Sequence, residues 1–442
     1  MEIIQHSLKK DSLPSEHNEP MGDRFHACEE PMSLETGFSP AVFESHVRGF
    51  DEFGKRTISL PFLDSSINLT VYINEFWTSK QRAAHSLHEI SYRACFKPQL
   101  PRFFIQRLTN PGDTVYDPFM GRGTTLLEAA LLGRKPLGCD INPLSEILIR
   151  PRLNPSASAD VMKRLQAIDL KKDVELREDL LVFYHPKTLR AIVNLRSYLM
   201  EKSSSSTLDD VDRWIRMVAT NRLTGHSKGF LSVYTMPPNQ AVSIVSQRRI
   251  NQRRSQVPEE RDLKTIVMRK TKSLLRDLDL EEAEVLRGVS GDVCIITGRC
   301  DRTPSISDQS VNLVVTSPPF LKVVDYQTDN WLRCWFNGID ASGIPIWQIG
   351  SPKQWQAKMT GVFGEMKRIL VPGGFIAFEV GEVLNGKLLL ENLVVPAAVS
   401  AGLKPVMVML NDQVFTKTSN CWGVRNLAKG TNTNRIVLLY NP

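Results

Sequence analysis

Val115-Tyr116-Asp117-Pro118-Phe119-Met120-Gly121-Arg122-Gly123-Thr124-Thr125 runs directly into Leu126-Leu127-Glu128-Ala129-Ala130-Leu131-Leu132, which Gly133 closes. The opening residues read as a short buried strand, the Gly-x-Gly as a tight turn and the leucine-alanine run as a helix. These are the pieces of a nucleotide-binding crossover. Its glycines let a ligand approach the backbone, and its helix amino terminus presents free N–H groups. The full G-x-G-x-x-G pattern is absent, so a pyrophosphate site is not indicated. Pro136-Leu137-Gly138-Cys139-Asp140-Ile141-Asn142-Pro143 follows as a second strand ending in an acid, where a carboxylate can bind paired ribose hydroxyls. The pair of motifs at this spacing predicts an α/β fold.

A second informative stretch is Thr316-Ser317-Pro318-Pro319-Phe320, preceded by the apolar run Val311-Asn312-Leu313-Val314-Val315. That placement puts the pentapeptide at the carboxyl end of a parallel strand, the edge where open α/β sheets bind ligands. The prolines fix the backbone and leave a carbonyl without a ladder partner. A hydroxyl and that carbonyl can accept both protons of a planar amino group, while Phe320 stacks on the ring that carries it.

"DPFMGRGTT", "GCDINP" and "TSPPF" together resemble the cofactor site, ribose acid and catalytic loop of the amino-methylating DNA methyltransferases. Serine as the first letter of S-P-P-[YF] resembles the cytosine-N4 subgroup, whereas the adenine-N6 subgroup more often carries D-P-P-Y or N-P-P-Y. The cytosine-C5 enzymes use a Pro-Cys nucleophile, and none of the seven cysteines here follows a proline. The run from His85 to Ile105 also resembles the family segment that packs against the methionine end of the cofactor. The resemblance covers residues 80–150 and 290–442. It implies a Rossmann-like methyltransferase sheet and S-adenosylmethionine as cofactor, held by Asp117, Phe119, Gly121, Gly123, Thr124, Asp140 and Asn142. Asp117 would face the methionine amino group and Asp140 the ribose. Ser317, Pro318, Pro319 and Phe320 would form the catalytic loop for N4 of a flipped-out cytosine in double-stranded DNA. Adenine N6 and an RNA base are the alternative targets, and a cognate restriction endonuclease is a possible partner.

Composition is compatible with this. The chain has 442 residues, a net charge of +7 and 42% hydrophobic residues. That length exceeds one typical domain and provides for a sizeable core. No apolar run approaches the ~20 residues that span a bilayer. The scattered cysteines, without CxxC or Cys/His spacing, read as reduced, intracellular (cytoplasmic) and metal-free. The amino terminus lacks the layout of a signal peptide.

Residues 1–50 mix Pro, Ser, Glu and His without a period and read as a disordered arm. Residues 51–150 and 291–442 form the expected catalytic core. Within it, two strands are expected around Asp64-Ser65-Ser66, a helix over Phe96 to Leu108, and strands at Val293 to Ile296, Phe375 to Val380 and Arg435 to Tyr440. The polar loop from Lys429 to Asn434 is a candidate lining of the target-base pocket. Asp301 sits out of register for an adenine contact. Trp331 and Trp335, at i and i+4, read as core. Residues 151–290 break the α/β rhythm and read as a largely helical, basic inserted lobe. From Arg248 to Arg276 there are ten Lys or Arg against three acids. Arg248, Arg249, Arg253 and Arg254 are the candidate nucleic-acid contacts.

Overall fold

Side chains alternate between two buried faces along the central strands, and that period of two sets the sheet. Val115, Leu313, Val315, Phe375 and Ala377 pack on one face. Tyr116, Val314, Ile376 and Phe378 pack on the other. The computed structural model describes residues 38–62, 67–78, 84–92, 95–236, 241–321, 326–347, 349–383, 387–412 and 434–442. The sheet is built from β1 (Ile58–Pro61), β2 (Thr70–Asn74), β3 (Thr114–Asp117), β4 (Lys135–Asp140), β5 (Cys294–Thr297), β6 (Val311–Thr316), β7 (Leu370–Val380), β8 (Lys404–Asn411) and β9 (Asn434–Tyr440). Among the described residues it has nine strands, in the order β1-β2-β8-β9-β7-β6-β3-β4-β5.

β3, β4, β5, β6 and β7 pair in parallel, whereas β9 runs antiparallel between β7 and β8. The chain therefore steps outward from β3 through β4 to β5, then returns to the far side of β3 with β6 and β7. Strand order reverses between β3 and β6. Crevices at such reversals, outside the carboxyl ends of the strands, are where open α/β sheets bind ligands. Asp117 ends β3 and Thr316 ends β6, so the two sequence motifs meet at the reversal.

The helices are α1 (Pro40–Gly49), α2 (Gln99–Leu108), α3 (Thr124–Leu131), α4 (Leu144–Leu153), α5 (Ser158–Ala167), α6 (Pro186–Ser204), α7 (Asp210–Arg222), α8 (Ile244–Arg254), α9 (Leu263–Leu274), α10 (Leu280–Val289), α11 (Tyr326–Phe336), α12 (Pro352–Ile369) and α13 (Glu391–Ser400). α1 corrects the reading of residues 1–50 as one disordered arm. Ser39 caps it and Pro40 occupies its first turn. Its Phe43 and Val47 are buried with Phe103 and Phe104 of α2. An amphipathic turn beginning after a Ser-Pro cap was the signal that the mixed composition obscured. The turn expected at Asp64 to Ser66 lies outside the described residues, but β1 and β2 pair antiparallel on either side of it.

Residues 151–290 are helical from the end of α4 through α10, and their apolar faces join the sheet's own helices in a shared cluster. Leu126 and Leu127 of α3 and Leu148 and Ile149 of α4 pack with Trp214 and Met217 of α7 and Leu274 of α9. Acids start these helices as the dipole favours. Asp209 caps α7, Asp262 caps α9 and Asp279 makes a capping box with Glu282 on α10. Trp331 and Trp335 on α11 pack against the same cluster, the latter under Arg177 and Arg196. Both indoles are structural. No described helix is long and apolar enough to cross a membrane.

Candidate active site

The glycine turn after β3 is shaped by what lies beneath it. Gly123 has φ +74°, and a Cβ there would stand 2.4 Å from Ile149 Cγ1 of α4. A side chain is excluded both by conformation and by space. On β4, a Cβ at Gly138 would meet Met120 Sδ at 2.6 Å, so the turn is pressed onto the neighbouring strand. Behind the turn, Glu128 of α3 accepts from Arg102 Nε at 2.7 Å and pairs with His88 Nε2 at 2.7 Å. The Arg102 and His88 contacts hold this buried carboxyl at about 2, despite the opposing cost of burial. Arg122 donates to the His88 and Ile90 carbonyls at 3.2 and 2.9 Å. These bonds hold the 85–92 segment against the turn.

A cavity opens where the carboxyl ends of β3, β4, β5 and β6 converge. Phe119 and Gly121 line it from the first motif, Asp140 and Asn142 from the second, and Ser317 and Pro319 from the third. Tyr92, Ile141, the Gly298 to Cys300 turn and the Pro345 to Trp347 loop complete the wall. Trp347 stands edge-on to Phe119, with ring centroids 6.3 Å apart, so apolar aromatic surface closes one side.

The sequence-predicted residues divide according to what their backbone does. Asp140 accepts from Gly121 N at 2.9 Å through Oδ2 and from Asn142 N at 2.8 Å through Oδ1. Its carboxylate thereby ties the glycine turn to the loop after β4. Asn142 Oδ1 in turn accepts from Leu144 N at 3.0 Å at the start of α4. Asp117, Gly123 and Thr124 do not line the cavity. Gly123 is committed to packing on Ile149, and Thr124 accepts from Arg122 Nε at 3.3 Å. Asp117 is buried and accepts from Phe119 N at 3.0 Å and Thr316 Oγ1 at 2.6 Å, which fastens β3 to β6. Pro318 is buried, and Phe320 packs half-buried against the core below the loop. Trp355 Nε1 of α12 donates to the Pro319 carbonyl at 3.0 Å, fixing the loop from outside. Asp301 is paired with Arg299 at 2.7 Å, so the arginine rather than the acid reaches the cavity wall. The 429–433 stretch of the polar loop lies outside the described residues.

Glu379 of β7 is a site residue that the sequence reading missed. It is buried, the Asn434 amide donates to it at 2.8 Å, and the nearby Ser317 hydroxyl favours its charged form. Burial raises it to about 7 against those two donors. A lone acid inside the apolar run Phe375 to Val380 was the available signal, because such a residue is rarely buried unless it is engaged. Burial also raises Asp117 to about 7 and Asp140 above its ordinary range. Hydrogen-bond donors rather than cations oppose all three shifts. Among the described residues no cluster of His, Cys, Asp and Glu has metal-site geometry.

These carboxyls make stability depend on pH. An acid whose folded pKa lies above its unfolded value holds its proton more firmly in the native state. Stability therefore falls as pH rises from the unfolded value near 4 to the folded value near 7, and levels off above it. Urea unfolding is expected to give a lower free energy at pH 7.5 than at pH 5. The Asp117→Asn/Glu379→Gln variant should lose much of that difference. An unchanged pH slope in the variant would mean that other groups carry it.

Residues 47–147 match a family model described as DNA methylase, of the N6/N4 type. The chain is 39% identical over 77 residues to the type II methyltransferase M.MjaII of Methanocaldococcus jannaschii, covering 17% of this chain and 14% of that protein. It is 24% identical over 304 residues to the type II methyltransferase M.BsoBI of Geobacillus stearothermophilus, covering 61% of this chain and 55% of that one. The matched region thus spans about half or less of the length of these relatives. Among solved structures, the rRNA methyltransferase aviRa of Streptomyces viridochromogenes aligns with a TM-score of 0.32 at 12% identity, covering 86% of this chain and 94% of that one.

Proposed function

We infer that this chain, which belongs to the amino-methylating DNA methylase family, transfers a methyl group from S-adenosylmethionine to the exocyclic N4 of a cytosine flipped out of duplex DNA. The observation that carries the reading is the position of Ser317. It lines the same cavity as Asp140, and its hydroxyl lies close enough to Glu379 to favour that carboxyl's charged form.

The cavity residues fit the cofactor. The Asp140 carboxylate suits a ribose diol, and Ile141, Phe119 and Trp347 offer apolar walls for a purine. When bound, the cofactor supplies an electrophilic methyl group on a sulfonium. The protein's own residues do the rest. If the Ser317 hydroxyl donates to Glu379, it keeps its lone pairs for an incoming N–H. Ser317 Oγ can therefore accept from the amino group and draw its nitrogen lone pair out of ring conjugation. That contact strengthens as positive charge builds on nitrogen, so it favours the transition state. Glu379 offers the departing proton a route through Ser317 Oγ to a carboxyl that burial raises to about 7, which keeps the proton count balanced without a charged serine. Flipping the base costs a few kcal/mol, and the cavity's aromatic walls offset part of it.

The four arginines of α8 support nucleic acid as the partner. Arg248, Arg249, Arg253 and Arg254 are all exposed, and Arg254 stacks over the Tyr234 ring at 3.8 Å. With eight charged or polar side chains among its eleven residues, α8 buries only Gln247 and Ile250 and keeps the rest for solvent or a polyanion.

Serine in the catalytic loop is the feature that favours cytosine N4 over adenine N6. Digestion of methylated DNA to nucleosides, followed by mass spectrometry, is expected to give N4-methyldeoxycytidine. N6-methyldeoxyadenosine as the sole product would transfer the reading to adenine, and methyl transfer confined to RNA would overturn it.

A further inference from the structure

The sequence of α8, IVSQRRINQRR from Ile244 to Arg254, contains no acid. At 3.6 residues per turn, Gln247, Ile250, Asn251 and Arg254 share one face. That face fastens the helix to the protein. Gln247 donates to the Tyr234 carbonyl at 3.0 Å and Asn251 to the Val182 carbonyl at 2.8 Å. Ile250 joins the apolar cluster of the inserted region, and Arg254 lies over the Tyr234 ring. Arg254 thus serves the fold, which sets it apart from its three basic neighbours.

The opposite face carries Val245, Arg249 and Gln252, with Arg248 and Arg253 along its two borders, and all five are exposed. Among the described residues no carboxylate pairs with Arg248, Arg249 or Arg253, and no group bonds to the Gln252 amide. A face that meets only phosphates needs only cations. This one sets an apolar branch, a guanidinium and a planar amide in line between two outer arginines. A guanidinium fits the paired acceptors of a guanine edge, a glutamine amide the acceptor and donor of an adenine edge, and an apolar group the thymine methyl. A helix of about 10–12 Å across also fits the major groove, which is about 12 Å wide.

The amino end of α8 is tied to the segment that follows the catalytic loop. Ala241 N donates to the Asp329 carbonyl at 3.1 Å, and Trp331 Nε1 donates to the Val242 carbonyl at 3.2 Å. Both partners belong to α11, which starts at Tyr326. The chain from Phe320 to Tyr326 spans at most roughly 22 Å, less than the ~34 Å of one turn of duplex. A duplex that presents a base to Ser317 therefore has neighbouring base pairs within reach of α8.

We propose that α8 lies in the major groove beside the flipped base, with Arg249 and Gln252 reading base edges and Arg248 and Arg253 resting on the bordering phosphates. This rests on the functional reading above and extends it to how the target sequence is chosen.

The test is methylation of a duplex library of random sequence by the full chain with S-adenosylmethionine, the modified sites being mapped by sequencing. Arg249→Ala is expected to relax a preference for guanine at one position by roughly 5- to 150-fold, and Gln252→Ala a preference for adenine at another, as loss of one bidentate base contact does. Arg248→Gln and Arg253→Gln should keep the wild-type preference. Each should reduce the steepness of log affinity against log salt by about 0.9 on any duplex, the loss of one phosphate contact. Calorimetry with S-adenosylhomocysteine checks that all four variants bind cofactor as the wild type does. The proposal is overturned if Arg249→Ala and Gln252→Ala, with cofactor binding intact, keep the wild-type preference at every position. It is equally overturned if the wild type methylates duplex DNA without sequence preference, an outcome that leaves the functional reading standing. A wild type that methylates no duplex would overturn that reading as well.

Discussion

Ser317→Ala is expected to slow methyl transfer by roughly 10²–10³-fold, the typical effect of removing one transition-state hydrogen-bond partner, while leaving affinity for S-adenosylhomocysteine essentially unchanged. The asymmetry follows from the structure around the loop. Its backbone is fixed by β6 and by Trp355 donating to the Pro319 carbonyl, and neither depends on the serine hydroxyl. Only Oγ is lost, and with it the acceptor for the amino group and the link to Glu379. Removing that hydroxyl should also raise Glu379 further, because it opposes the effect of burial. Single-turnover rates across pH would test both parts. Glu379→Gln should retain the bond to Asn434 but lose the proton acceptor, with a rate that no longer titrates near pH 7. Should Ser317→Ala weaken cofactor binding as much as it slows transfer, the loop is a structural turn and the active residue lies elsewhere.

Asp140→Ala is expected to weaken cofactor binding by roughly 10²-fold, about 3 kcal/mol, as two charge-assisted hydrogen bonds are lost together. The carboxylate accepts from Gly121 N and Asn142 N, so its removal frees both turns that border the cavity as well as the group facing the ribose. Asp140→Asn keeps one oxygen acceptor and should fall between. Titration calorimetry with S-adenosylhomocysteine measures the effect directly, and circular dichroism checks that the fold persists. Unchanged affinity in the alanine variant would mean that Asp140 only closes a turn.

Much of this site was legible in the sequence because its parts are local. A strand, a Gly-x-Gly and a helix must form a crossover, and an acid at the next strand end must face the same edge. Phe119, Gly121, Asp140, Asn142, Ser317 and Pro319 therefore meet at one cavity although they come from three motifs. What the sequence concealed depends on packing between elements. Gly123 is glycine because of Ile149 on α4, and Asp117 faces Thr316 rather than the cavity; neither follows from spacing. Trp347 belongs to a loop without a motif, and its place opposite Phe119 is set by where α11 and α12 lie. Glu379 could have been suspected as a buried charge, but its partners Ser317 and Asn434 come from strands on either side of β7. The basic stretch was visible as composition. That Arg254 is committed to the Tyr234 ring while its neighbours stay open to solvent was not.

The pairing of β3 with β6 also governs the order in which the protein can be made. Asp117 and Thr316 are hydrogen-bonded across 199 residues of chain, and the helices from α4 to α10 are synthesised in between. During translation β3 can acquire β4 on one side long before β6 emerges to cover the other. Its open edge, carrying Val115 and Tyr116, is an invitation to pair with the wrong strand. The early helices α3 and α4, which pack with those of the inserted region in one apolar cluster, can bury surface before the sheet closes. The insertion thus lies on the biogenesis route of the catalytic centre: the ribosome must deliver it before the middle of the sheet can form.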